Sequence, residues 1–173
     1  MIVVLNGAPG AGKSSIAAAL QAMFEGPWMN LGVDVARTTT PPRLQPGIGL
    51  RPNEPDHPAA AFVPVLYAAL WESVAAHERL GLNVVVDVGV HDAARVEDAR
   101  RRLAGLPVLW VGVRCPLAVI QARSGADRPP DGPARWQEAV HAPWTYDLEV
   151  DTSVLSPDQC AAEIEKQLGT FLA

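Results

Sequence analysis

The stretch Met1-Ile2-Val3-Val4-Leu5-Asn6-Gly7-Ala8-Pro9-Gly10-Ala11-Gly12-Lys13-Ser14-Ser15 decides how the rest of the chain is read. Ile2 to Leu5 is apolar at every position, as in a strand buried on both faces. Gly7 to Ser14 spells G-x-x-x-x-G-K-S. Ile16, Leu20, Met23 and Phe24 follow at helical spacing, so a helix starts near Lys13. Strand, glycine loop and helix, in that order, are the context in which this motif binds phosphate.

The residue types suit that task. Gly7, Gly10 and Gly12 are expected to adopt backbone angles closed to other residues, turning amides inward as a nest for phosphate oxygens. The start of the helix adds unpaired N–H groups and the positive end of its dipole. The expected nucleotide contacts are therefore Gly7, Ala8, Pro9, Gly10, Ala11, Gly12, Lys13, Ser14 and Ser15. Lys13 would reach the β- and γ-phosphates and Ser14 would ligate Mg²⁺. The chain has two lysines, Lys13 and Lys166, beside 12 arginines, and one of the two stands here.

The remaining chain fits one compact domain. At 173 residues a single domain spanning 1–173 is expected, with 49% hydrophobic and 19% charged residues. A formal net charge of -5 argues against nucleic acid as the main partner. Cys115 and Cys160 have neither metal nor redox spacing, which fits a reducing cytoplasm. The first residues read as a core strand rather than a leader, and no apolar run reaches the length of a membrane span.

Further strands are expected at Trp28 to Val33, Val84 to Val86, Pro107 to Val113 and Asp147 to Val150. Helices are expected over Ala59 to Leu80, from Asp92 to about Leu103, after Pro116, and from the capping box Ser156-Pro157-Asp158-Gln159 onward. Residues 36–58, with Pro41, Pro42, Pro46, Pro52, Pro55 and Pro58 among them, read as an irregular loop of the kind that is a lid, a binding loop or disordered. Residues 123–136 form a second irregular stretch and read as a lid. Buried strands alternating with helices make an α/β protein with a mostly parallel five-stranded sheet covered on both faces. With the glycine loop, that is the three-layer fold of the P-loop nucleotide hydrolases and kinases, of the nucleoside-monophosphate-kinase kind.

Ligands of such sheets sit at the carboxyl ends of the strands. Asp34, Asp87 and Arg114 are each expected there, directly after a strand. Asp34 could take a proton from an attacking hydroxyl, or could simply cap a turn. Asp87 ends an apolar strand, where a carboxylate serves Mg²⁺. Arg123, Arg128 and Arg135 lie in or beside the second irregular stretch, and arginine forks suit a phosphoryl group in transfer. Phe62, Tyr67 and Trp71 could line an acceptor pocket, although core packing is the plainer reading, above all for Phe62. His57, His77, His91 and His141 show no metal spacing. Asp151 to Leu155 could support an adenine ring by position alone.

Over nearly its whole length the chain resembles the chloramphenicol phosphotransferase family. The resemblance rests on Val4-Leu5-Asn6-Gly7, on Pro27-Trp28 followed by Gly32-Val33-Asp34, on Val108-Leu109-Trp110-Val111-Gly112-Val113-Arg114-Cys115, and on Tyr146-Asp147-Leu148-Glu149-Val150-Asp151-Thr152. It implies an ATP-dependent kinase acting on a hydroxyl of an antibiotic or related natural product, with Asp34 as the general base. It also carries Lys13 and Ser14 over as phosphate and metal ligands, the region of Arg123 and Arg128 as an arginine-bearing lid, and residues 36–58 as the proline-rich loop on the acceptor side. The implied cofactors are ATP and Mg²⁺, the partner is a small hydroxylated molecule, and a homo-oligomer is compatible with the sequence. A metabolic kinase of the shikimate, gluconate or nucleotide type is the first alternative, and a non-catalytic nucleotide-binding module the second.

Overall fold

A computed structural model describes residues 1–45, 58–124 and 139–171. Five strands run β1 (Ile2–Gly7), β2 (Trp28–Asn30), β3 (Asn83–Val88), β4 (Val108–Arg114) and β5 (Leu148–Asp151). They form one sheet in the order β2-β3-β1-β4-β5, and every pairing is parallel. The helices are α1 (Lys13–Met23), α2 (Val33–Thr39), α3 (Val63–Arg79), α4 (Ala93–Arg102), α5 (Leu117–Ser124) and α6 (Pro157–Phe171).

Alternation along the strands makes the three layers. Ile2, Val4, Val84, Val86, Val108 and Trp110 point to the face covered by α2, α3 and α4. Val3, Leu5, Val85, Leu109, Val111 and Val113 point to the face covered by α1, α5 and α6. Cys115 and Cys160 are both buried on this second side and form no disulfide. Because both faces are covered there, the inner strands β1, β3 and β4 read as largely apolar runs, whereas the edge strands β2 and β5 are partly exposed.

Local signals work as expected at several ends. Asp92 caps α4, its Oδ1 accepting from the Arg95 amide at 3.1 Å. Ser156 and Gln159 exchange hydrogen bonds of 2.9 and 3.2 Å at the start of α6. Gly81 follows α3 with φ 85°.

Other expectations are corrected. The second strand stops at Asn30, because Asn30 Oδ1 accepts the Gly32 amide at 3.2 Å and turns the chain off the sheet. Asp34 accordingly lies in the first turn of α2 rather than directly behind a strand. Asp87 and Arg114 lie inside their strands, near the ends. The proline-rich region is regular in part: α2 reaches Thr39, and Pro42–Leu44 and Pro58–Phe62 form 3-10 turns. Pro46, Pro52, Pro55 and His57 lie outside the described residues.

The long helix begins as a 3-10 turn and becomes α-helical at Val63, with Pro64 tolerated in the first turn. Pro58–Arg79 is long and apolar enough, by length and composition, to cross a membrane, contrary to the sequence reading. Its inner stripe of Val63, Tyr67, Leu70, Trp71, Val74 and Ala75 is nevertheless buried on the sheet, as in a core helix. The aromatic assignments invert: Tyr67 and Trp71 are core, whereas Phe62 is 47% exposed.

Candidate phosphate and acceptor site

The glycine loop leaves the central strand and is seated tightly. Gly10 and Gly12 have φ of 83° and 90°, where a side chain would be strained. Gly7 does not share that conformation, and its requirement is spatial. A Cβ there would lie 2.5 Å from the Val113 carbonyl oxygen of the neighbouring strand. Ala8 and Ala11 are buried, so their side chains are packing and only their backbone can face a ligand. The N-cap of α1 is Gly12, which has no side chain to bond the first-turn amides and so leaves them to an anion. Lys13 Nζ donates to the Gly7 and Ala8 carbonyls at 3.0 and 2.9 Å, folded back along the rim of the loop.

Ser14 and Asp87 meet here, although 73 residues separate them. Ser14 Oγ donates to Asp87 Oδ2 at 2.6 Å, and Asp87 is 6% exposed. A hydroxyl and a carboxylate beside a phosphate nest are a hard-oxygen donor set suited to Mg²⁺ that keeps most of its ligands from phosphate and water. Among the described residues no three His, Cys, Asp or Glu side chains cluster as a metal cage. Asp34 stands apart from this pair. Its carboxylate is 69% exposed, with Arg37 Nε at 3.8 Å on the next turn of α2.

The arginines expected to serve the lid divide. Arg128 and Arg135 lie outside the described residues, as does most of the 123–136 stretch. Arg123, on the last turn of α5, is tied to the chain after β5, donating to Thr152 Oγ1 at 3.2 Å and to the Thr152 carbonyl at 2.5 Å. It lines a cleft of about 330 Å³ with Gly10, Gly12, Ser15, Thr152, Leu155, Ser156 and Pro157. Thr152 also donates to the Ala11 carbonyl at 2.9 Å, fastening this wall to the glycine loop. The segment proposed to support adenine therefore borders a concave space that opens onto the loop. Arg114 is bound in a fork to Glu149 at 2.7 and 3.2 Å.

Sequence reasoning passed over a polar knot behind the loop. Asn6, 1% exposed, donates to the Val140 carbonyl at 2.9 Å and to Tyr146 Oη at 2.8 Å, and accepts from the Val90 amide at 2.8 Å. Trp144 Nε1 donates to the Val90 carbonyl at 2.8 Å. His141 Nδ1 lies 2.8 Å from Tyr146 Oη. Burial pushes His141 down to about 4, with the Arg114 guanidinium adding to the effect. It is therefore neutral at pH 7, so Nδ1 can accept from the tyrosine hydroxyl. Burial also pushes Tyr146 up to about 12. A polar Asn at the end of an otherwise apolar strand was the one available signal, and its partners lie 84 to 140 residues away.

This sheet order, with a glycine loop behind the central strand, is the fold of the P-loop kinases. The chain belongs to the family of chloramphenicol phosphotransferase-like proteins, whose model matches residues 1–169. A Mycobacterium tuberculosis protein named provisionally as an O-phosphotransferase is 28% identical over 95% of this chain and 80% of its own length. The adenylyl-sulfate (APS) kinase CysC of the same organism, solved with AMPPNP and APS, superposes with TM-score 0.71 at 19% identity, covering 97% of this chain and 96% of that one. The Deinococcus radiodurans tunicamycin resistance protein superposes with TM-score 0.65 at 24% identity, covering 97% and 95%. These two structures share the fold with this chain.

Proposed function

We propose that the protein is an ATP-dependent kinase that phosphorylates a hydroxyl group of a small antibiotic or related natural product of the chloramphenicol kind. The observation that carries the reading is the 2.6 Å contact between Ser14 and buried Asp87 at the head of a phosphate loop. A passive phosphate nest has no use for a buried carboxylate aimed at its serine.

In this reading the amides of Gly7 to Ser14 and the ammonium of Lys13 hold the β- and γ-phosphates. Lys13 would exchange its two carbonyl partners for phosphate oxygens, a stronger charge-assisted contact. Ser14 and Asp87 would hold Mg²⁺, which supplies charge neutralisation at the β- and γ-phosphates. The adenine side belongs to the Arg123–Thr152 cleft. Asp34 accepts the proton of the acceptor hydroxyl as its oxygen bonds to the γ-phosphorus. The bond from that phosphorus to the β–γ bridging oxygen breaks, and ADP leaves. Arg128 and Arg123 remain the proposed lid arginines, Arg123 approaching from the nucleotide side. The protein would act as a cytoplasmic single-domain enzyme.

The test is an acceptor screen with MgATP, read by ADP release and by mass spectrometry for a phosphate adduct of about 80 Da, a mass set by the transferred PO₃ group. Chloramphenicol-like amphenicols, other hydroxylated antibiotics, and shikimate-, gluconate- and nucleoside-type metabolites form separate arms. An adduct on an antibiotic, absent with Lys13→Ala, supports the reading. Turnover confined to a metabolite would make this a metabolic kinase. ADP binding with no acceptor-stimulated turnover in any arm would favour a binding module.

A further inference from the structure

Gly32 joins β2 to α2 and is buried. Its φ of -62° and ψ of 170° are extended backbone that any residue adopts, so conformation does not demand glycine. Space does. A Cβ at this position would lie 2.6 Å from Asp87 Oδ1, 3.1 Å from Asp87 Cγ and 3.2 Å from the Asp87 carbonyl oxygen. Neither side can easily retreat. The turn is pinned by the Asn30 side chain on the Gly32 amide at 3.2 Å and by the Leu31 amide on the Val85 carbonyl at 3.0 Å. The carboxylate is pinned on its far oxygen by Ser14.

We propose that Gly32 is a positioning residue for the metal-binding carboxylate: its bare backbone is the wall that holds Asp87 with Oδ1 against the α2 turn and Oδ2 toward Ser14. The same contact sets the spacing between Asp87 and Asp34, which lies two residues beyond the wall. A methyl group at position 32 forces the carboxylate to rotate away from Ser14, or lifts the first turn of α2 off β3. The inference rests on the reading of Ser14 and Asp87 as the Mg²⁺ pair.

The experiment compares the wild type with Gly32→Ala and with Gly112→Ala as a crowding control. Gly112 is equally tight, since a Cβ there would lie 2.6 Å from the Tyr146 ring, but it does not touch Asp87. ADP affinity is measured by calorimetry with and without Mg²⁺, alongside melting temperature. In Gly32→Ala the metal-free ADP affinity should hold within about twofold. The enhancement by Mg²⁺ should fall by about tenfold, the weight of one charge-assisted contact. Gly112→Ala should melt earlier with its Mg²⁺ enhancement intact. An unchanged Mg²⁺ enhancement in Gly32→Ala, or an equal loss in Gly112→Ala, would overturn the proposal. If Gly32→Ala does not fold, adding Asp87→Ala should restore folding by removing the carboxylate the methyl meets, and failure to do so overturns it as well. A wild type that binds ADP neither with nor without Mg²⁺ defeats the kinase reading itself, a result distinct from the others.

Discussion

The loop from Gly7 to Ser14 and the helix from Val33 to Thr39 stand at the same edge of the sheet. The loop is held at every point that matters: Ala8 and Ala11 are buried, Lys13 and Ser14 are hydrogen-bonded, and Thr152 clasps its outer turn. Helix α2 buries Val33 alone, and Asp34 projects into solvent beside Arg37. A triphosphate is the same group at every turnover, and a fixed set of donors can be arranged for it in advance. In the proposed reaction an acceptor hydroxyl arrives on molecules of many shapes, and the element proposed to meet it is only lightly fastened.

The largest expected effect would break this contrast at its functional end. Asp34→Asn should lower turnover by about 10²–10⁴-fold while leaving ADP affinity unchanged, as steady-state kinetics and calorimetry would show. If ADP affinity fell as far as turnover, the two regions would not be separable. The next prediction sharpens the account of the tethered side through pH. Buried His141 takes up a proton only near 4, whereas the unfolded chain binds it at the ordinary 6.5. Stability should therefore decline as pH falls through that window. Denaturant melts should show His141→Gln flattening the decline between pH 6.5 and 4. The Arg102 partner of Asp98 and the Arg114 partner of Glu149 hold both carboxyls below their usual range. Their stabilisation begins to fall as pH drops past the ordinary carboxyl values, 3.8 for Asp98 and 4.5 for Glu149, so it overlaps only the acid end of that window. A smaller effect concerns Trp71, whose Nε1 is, among the described residues, a buried side-chain donor without a partner. Trp71→Phe loses packing but removes the unmet donor, so the melting free energy should change by less than about 1 kcal/mol.

Local patterns in the chain reach far toward this picture and stop at a definable point. The phosphate loop was legible because strand, glycines, lysine and helix are contiguous, and the three inner strands because covered parallel strands are largely apolar. Asp87 was legible as the polar end of such a run. The end of β2 was not, since a side-chain hydrogen bond from Asn30 overrides the apolar Leu31 and Val33. Gly7 was assigned the wrong reason, because a clash with β4 is invisible until the sheet is assembled. Gly32, Asn6, Tyr146 and Thr152 matter through partners far away in sequence, which no periodicity encodes. Phe62 is exposed because it ends the 3-10 turn before α3, off the α-helical stripe of Val63, Leu70, Trp71 and Val74 that takes Tyr67 into the core.

The knot around Asn6 has a bearing on how such an enzyme could change. One asparagine joins the exits of β1 and β3 to the segment ahead of β5, so the floor of the cleft is insulated from alterations at its rim. Substitutions on the exposed positions of α2 should each alter stability by no more than about 0.5 kcal/mol. A lineage could therefore trade one acceptor for another by drifting along that rim, while the inherited phosphate chemistry beneath it passed down unaltered.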